Sequence, residues 1–145
     1  MGNKMIEILL AEDEETDVFF MQQAFQQSRV NNRLHVVKDG VELLDYLNKK
    51  NGFEDAIRPN LILLDINMPR KDGHEALLEI KTSAEWRDIP VIMLSSSRAA
   101  EDILRSYENY ASAYVPKSKG LDEIMNFVHS VEKFWFERAE LPRIL

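Results

Sequence analysis

The stretch Leu61-Ile62-Leu63-Leu64-Asp65-Ile66-Asn67-Met68-Pro69 decides how this chain of 145 residues is read. Four consecutive apolar residues without alternation mark a strand covered on both faces, the habit of parallel sheets. Asp65 closes that run, where a buried strand emerges from the core. In open α/β sheets, ligand chemistry collects at the carboxyl ends of the strands. Alone, such an aspartate could be an ordinary turn or cap residue, and its meaning depends on the residues it keeps company with elsewhere.

Working outward, Ile6 to Ala11 and Val91 to Leu94 repeat the apolar pattern, with Ala113 to Val115 a weaker copy and Leu34 to Val37 a fifth candidate. Helical periodicity fills the gaps. Val18, Met21 and Phe25 share a face, as do Val41, Leu44 and Leu47, and Ala76, Leu77 and Ile80. Ile103, Leu104 and Tyr107 follow, then Leu121, Ile124, Met125 and Val128. Breakers fall between the elements: Asp39-Gly40, Asn51-Gly52, Pro59, Pro69, Asp72-Gly73, Pro90 and Gly120. Five alternations of strand and helix predict an α/β fold with a right-handed parallel sheet. The length predicts one domain over residues 1–145, with an extended last helix and a short tail from about residue 130, and no output domain.

Composition narrows the function. The formal net charge is −7 with a pI near 5.0, so no overall field draws nucleic acid. The absence of cysteine removes disulfides and thiolate metal sites. No apolar run approaches the roughly 20 residues of a membrane span, and Met1-Gly2-Asn3-Lys4-Met5 lacks the apolar region of a signal peptide. A cytoplasmic protein is expected. His35, His74 and His129 are scattered without metal-ligand spacing, and Trp86 reads as a packing residue. In the last helix Leu121, Ile124, Met125, Val128, Val131 and Trp135 form one face. Phe127 and Phe134 widen it beyond the roughly 100° stripe that one core contact requires. That excess is either a few exposed aromatics or a partner or dimer surface. Pro142 is expected to end the helix, leaving Arg143-Ile144-Leu145 as a partly apolar tail.

The strand ends carry the chemistry. Glu12-Asp13 follows the first strand, Asp65 the third, Ser95 the fourth and Lys117 the fifth. If the strands are parallel, one sheet edge holds three carboxylates, a hydroxyl and an ammonium. Clustered carboxylates repel unless a cation neutralises them. All-oxygen ligands suit a hard ion, Mg²⁺ in particular. A carboxylate oxygen can attack phosphorus to give an acyl phosphate, with Lys117 and Ser95 meeting the phosphoryl oxygens. Each residue alone has an ordinary role as cap, turn or solvated side chain. Their joint placement at four strand ends is hard to reach by accident.

These residues bring the chain into line with a known family. Ile8-Leu9-Leu10-Ala11-Glu12-Asp13, Asp39-Gly40-Val41-Glu42-Leu43-Leu44, Leu63 to Pro69 with Asp72-Gly73, Ile89 to Ser95, and Tyr114-Val115-Pro116-Lys117 together resemble the receiver domain of two-component response regulators, over residues 5 to 130. The resemblance implies a flavodoxin-like five-stranded parallel sheet of order 2-1-3-4-5 flanked by five helices. It implies Asp65 as phosphoacceptor. It implies a Mg²⁺ site of Asp13, Glu12 through water, Asp65 and the Asn67 backbone carbonyl. Ser95 would be the switch hydroxyl, Lys117 the phosphate-binding lysine and Tyr114 the aromatic that turns inward. Asn67 and Ser97 occupy positions that tune phosphoryl lifetime. The phosphoryl donor would be a sensor histidine kinase or phosphotransfer protein. One departure is Ser118 after Lys117, where the family usually has a cis proline; a non-proline cis bond costs about 2.5–4 kcal/mol. The Lys117-Ser118 pair and the aromatic tail Phe134-Trp135-Phe136 further resemble bacterial phytochrome-type regulators, which often dimerise through the fourth and fifth helices and the strand between.

Three other readings compete. A haloacid-dehalogenase-type phosphatase shares the aspartate nucleophile but needs a second acid two residues on, where this chain has Asn67, and an amide cannot supply that proton. A pseudo-receiver interaction module would lack a site residue, and none is missing. A flavodoxin-like cofactor binder would face an acidic loop after the first strand and no P-loop pattern.

Overall fold

The computed structural model describes residues 5–117 and 119–142. Five strands, β1 (Ile6–Ala11), β2 (Asn32–Val37), β3 (Leu61–Asp65), β4 (Val91–Ser95) and β5 (Ala113–Pro116), alternate with α1 (Glu15–Gln26), α2 (Gly40–Asn48), α3 (Gly73–Thr82), α4 (Ala100–Glu108) and α5 (Gly120–Val131). All pairings are parallel and the order is β2-β1-β3-β4-β5. The expected α/β architecture and strand order are those observed.

The unbroken apolar strands are explained by burial on both faces. Leu9, Ala11, Ile62, Leu64, Val91 and Met93 join a core with Leu43, Leu77 and Ile80 from α2 and α3, where Trp86 also packs. Ile8, Leu10, Leu61, Leu63, Ile92 and Leu94 point the other way, onto Met21 and Phe25 of α1 and Ile124 and Val128 of α5. Successive side chains of a strand face opposite sides, so a sheet with helices on both sides needs apolar residues at every position.

Register then aligns the functional edge. Ala11 pairs with Leu64, Asp65 with Leu94 and Ser95 with Pro116. Glu12 therefore emerges beside Asp65, Ser95 one residue further along and Lys117 two. Two glycines allow the close approaches around this edge. A Cβ on Gly73 would meet the Asp65 carbonyl oxygen at 2.4 Å, and one on Gly40 the Lys71 carbonyl oxygen at 2.5 Å. Both are closer than any side chain allows. Asp72 starts α3 with a capping box shared with Glu75.

The last helix departs from expectation. It does not run on to Pro142. After Val131 the backbone widens into a π-helical segment, Glu132–Arg138, and Ala139 is extended. A buried acid opens this segment: Glu132 lies inside the protein, and its carboxylate accepts from Ser28 Oγ at 2.6 Å and the Arg29 N–H at 3.2 Å. The wider turn accommodates that anchor while Trp135 and Phe136 pack on the α1 side of the core. Phe134 stays exposed. Glu132→Ala is expected to cost about 2 kcal/mol in urea unfolding, because it strips a buried acceptor from two donors; an unchanged midpoint would remove the anchor role. The Lys117–Ser118 peptide and the tail Arg143-Ile144-Leu145 lie outside the described residues.

α4 is the least buried helix. Among its residues only Ser106 is buried, while Leu104 and Tyr107 of the expected apolar face are exposed, as is Tyr110 just beyond. Tyr107 nonetheless serves the neighbouring strand. Its hydroxyl accepts the outward N–H of Tyr114 at 3.1 Å, covering one unpaired donor on the edge strand β5.

Candidate functional site

Glu12, Asp13 and Asp65 each offer a carboxylate oxygen, and these oxygens lie within 4.8 Å of one another. Glu12 and Asp65 are buried, while Asp13 faces solvent. The Lys117 ammonium reaches into the cluster, 2.7 Å from Glu12 Oε1, 3.1 Å from Asp17 Oδ2 and 3.3 Å from Asp65 Oδ2. The other Asp65 oxygen accepts the Asn67 N–H at 3.2 Å, an Asx-type turn that fixes the carboxylate at the strand end. Ser95 is fully buried and accepts the Lys117 N–H on its carbonyl at 2.8 Å.

Electrostatics follow from this packing. Burial pushes the Glu12 carboxyl from the usual 4.5 up to about 7, against the pull of the Lys117 hydrogen bond and with help from the Asp65 charge. Burial also disfavours the Lys117 charge, but the Glu12 hydrogen bond and the Asp65 charge outweigh it and hold the lysine well above its ordinary range. One ammonium thus faces four carboxylates, too few cations for the charge present. The donors are all oxygens, the set that a hard divalent cation takes.

Tyr114 is half-buried and packs inward on the core face shared with Leu44 and Trp86. Its hydroxyl donates to the Ser97 carbonyl at 2.8 Å, and the Ser97 N–H donates to Ser95 Oγ at 3.0 Å. The structure therefore brings together Glu12, Asp13, Asp65, Ser95 and Lys117, and links Tyr114 to Ser95 through Ser97.

Sequence reading missed Asp17. It stands in the first turn of α1, and side chains on a helix lean toward its N-terminus, which aims this carboxylate back at the strand edge. Its signal was an acid one turn after Glu12-Asp13. Also missed was the support of the loop after β3. Arg70, in the left-handed region at φ 63°, makes two hydrogen bonds to buried Asp39, at 2.8 and 3.2 Å. Asp39 also caps α2 by accepting the Glu42 N–H. Burial would raise the Asp39 carboxyl, but Arg70 and the cap outweigh it and hold it below the usual range. Its contribution is therefore complete above the unfolded value near 3.9 and fades as pH falls below it. Asp39→Ala is expected to lose about 1 kcal/mol from the cap alone, read by urea unfolding at pH 7. A loss equal at pH 7 and pH 2.5 would contradict that linkage.

The model of the response regulator receiver domain matches residues 8–129. The response regulator Rcp1 of Synechocystis is 38% identical over 135 residues, covering 93% of this chain and 92% of that protein. Two solved structures are similar over nearly their whole length. One is the Mn²⁺-bound form of Rcp1, 37% identical with a TM-score of 0.89, covering 95% of this chain and 99% of that one. The other is the phosphorylated cyanobacterial phytochrome response regulator RcpA, 38% identical with a TM-score of 0.91, covering 97% and 100%. With five parallel strands in this order and an acidic cluster at their carboxyl ends, the chain belongs to the response regulator receiver domain family.

Proposed function

We propose that Asp65 accepts a phosphoryl group from a phosphohistidine on a sensor histidine kinase or phosphotransfer protein. The observation that carries this is the buried Asp65 carboxylate, held by Lys117 and the Asn67 N–H inside an acidic cluster. An Asp65 oxygen attacks phosphorus and the bond from phosphorus to the imidazole nitrogen breaks. The electron pair leaves with the imidazole, and an acyl phosphate remains on Asp65. Lys117 meets one phosphoryl oxygen and the Ser95 hydroxyl donates to another. Asp13 and Asp65, Glu12 through water and the Asn67 backbone carbonyl would hold Mg²⁺, which when bound neutralises phosphoryl charge. Asn67 offers no acid for turnover of an external ester, so the protein would act as a phosphoacceptor rather than an enzyme on other substrates.

The likeness to the phytochrome response regulator RcpA favours a phytochrome-type kinase as donor, and we propose the cytoplasm as the setting. The signal would leave through the surface of α4, β5 and α5, where Leu104, Tyr107 and Leu121 are exposed, toward a protein target or a second copy. A dimer is expected by sedimentation on phosphorylation; a monomer in both states would overturn that part.

The test is intact mass after incubation with Mg²⁺ and acetyl phosphate. One added phosphoryl group, lost when Mg²⁺ is chelated, is expected. No gain with acetyl phosphate or with any cognate kinase would return the chain to the interaction-module reading.

A further inference from the structure

Ser97 holds both switch residues at once: its N–H bonds Ser95 Oγ and its carbonyl accepts from Tyr114. What holds Ser97 lies further from the acidic cluster. Its hydroxyl donates to Asp102 Oδ2 at 2.8 Å, within the first turn of α4. The other Asp102 oxygen is 3.3 Å from Nε2 of His74, on α3. His74 is buried at 3% exposure. Its Nδ1 has no hydrogen-bond partner among the described residues, so the one polar contact of this ring among them is Asp102. A buried imidazole with a single polar contact is costly unless that contact matters. Since a carboxylate only accepts, Nε2 carries the proton. Asp102 is held below the usual carboxylate range, first by the Ser97 hydroxyl and then by His74. It is thus an anion on α4 that ties the loop after β4 to α3.

We infer that His74 and Asp102 are positioning residues: they clamp Ser97 so that its peptide keeps Tyr114 inward and Ser95 in place for the phosphoryl group. The inference builds on the phosphoacceptor reading. A segment with two arrangements is biased by whatever contacts favour one of them, and this clamp stands outside the acidic cluster.

The test uses the full chain labelled with 3-fluorotyrosine, the Tyr114 resonance being assigned with Tyr114→Phe. Asp102→Asn, His74→Leu and His74→Gln are compared with the parent by ¹⁹F NMR without phosphoryl donor, then by titration with beryllofluoride and Mg²⁺. Asp102 is partly exposed, so its variant keeps the test open if a change at buried His74 prevents folding. Asp102→Asn and His74→Leu should move the Tyr114 resonance toward its solvent-exposed position and weaken beryllofluoride binding roughly three- to tenfold. His74→Gln, which keeps a donor, should recover much of both. A Tyr114 resonance unchanged in every folded variant would overturn the clamp. So would equal effects of His74→Leu and His74→Gln, which would mark a packing role. A moved resonance in a protein whose parent binds no beryllofluoride would leave the clamp standing and remove the phosphoacceptor reading instead.

Discussion

Asp65→Asn is expected to abolish phosphoryl labelling, by at least roughly 100-fold, while leaving the fold intact. The amide is nearly the same size as the carboxylate, and its oxygen can still accept the Asn67 N–H that fixes this side chain. It cannot serve as the anionic nucleophile. Lys117 keeps Glu12 and Asp17 as partners. One buried negative charge disappears from beside Glu12, and the Asp65 charge is among the causes that raise the Glu12 carboxyl. Metal-free stability should therefore hold or rise slightly, and the Glu12 carboxyl should titrate lower than in the parent. Intact mass with acetyl phosphate and Mg²⁺ reads the first effect, and urea unfolding in chelator reads the second. Full labelling in the variant would remove Asp65 as acceptor. A folded but unlabelled variant beside a labelled parent would place the acyl phosphate on this one carboxylate.

The parts of this arrangement that were legible in the sequence are those that burial dictates. β1, β3 and β4 stand out because both of their faces meet helices, so four apolar residues run together in each, 8–11, 61–64 and 91–94, and the polar residue that ends the run marks the exit from the core. That is why Glu12, Asp65 and Ser95 could be named from residue order alone. Once the strands are parallel, register does the rest. Partnerships between side chains far apart in sequence were not legible. His74 reads as a scattered histidine until α3 and α4 are set side by side, and only then does Asp102 become its partner. His35 likewise bonds Glu7 across the β1–β2 pair, which Arg33 also bonds. The end of α5 misled for a related reason. Helical periodicity assumes a constant angle per residue, and that angle changes over Glu132–Arg138, where Glu132 is tied to Ser28 and Arg29 by bonds that span more than 100 residues of sequence.

Lys117→Met separates what the cluster needs in order to fold from what it needs in order to react. In chelator at pH 8, the variant is expected to lose about 2 kcal/mol. Removing one partner of a buried ion pair typically costs about 3–5 kcal/mol, but this ammonium is partly exposed and Glu12 can escape by taking up a proton. The pH dependence follows in sign. Glu12 already titrates near 7 rather than at 4.5, and without its ammonium partner it must titrate higher still. A carboxyl raised in the folded state binds more protons there than in the unfolded chain, so stability falls as pH rises from about 4.5 past 7. The deficit should be small at pH 5 and full at pH 8. Millimolar Mg²⁺ should restore much of it, because a cation among Glu12, Asp13 and Asp65 supplies the missing positive charge. Labelling with acetyl phosphate should stay about 100-fold down even then, since among the described residues no other cation reaches Asp65 from β5. Parent-like stability in chelator at pH 8 would mean that the carboxylates are solvated well enough without Lys117. Parent-like labelling would mean that Lys117 serves the fold alone, and that the phosphoryl charge is met by other groups.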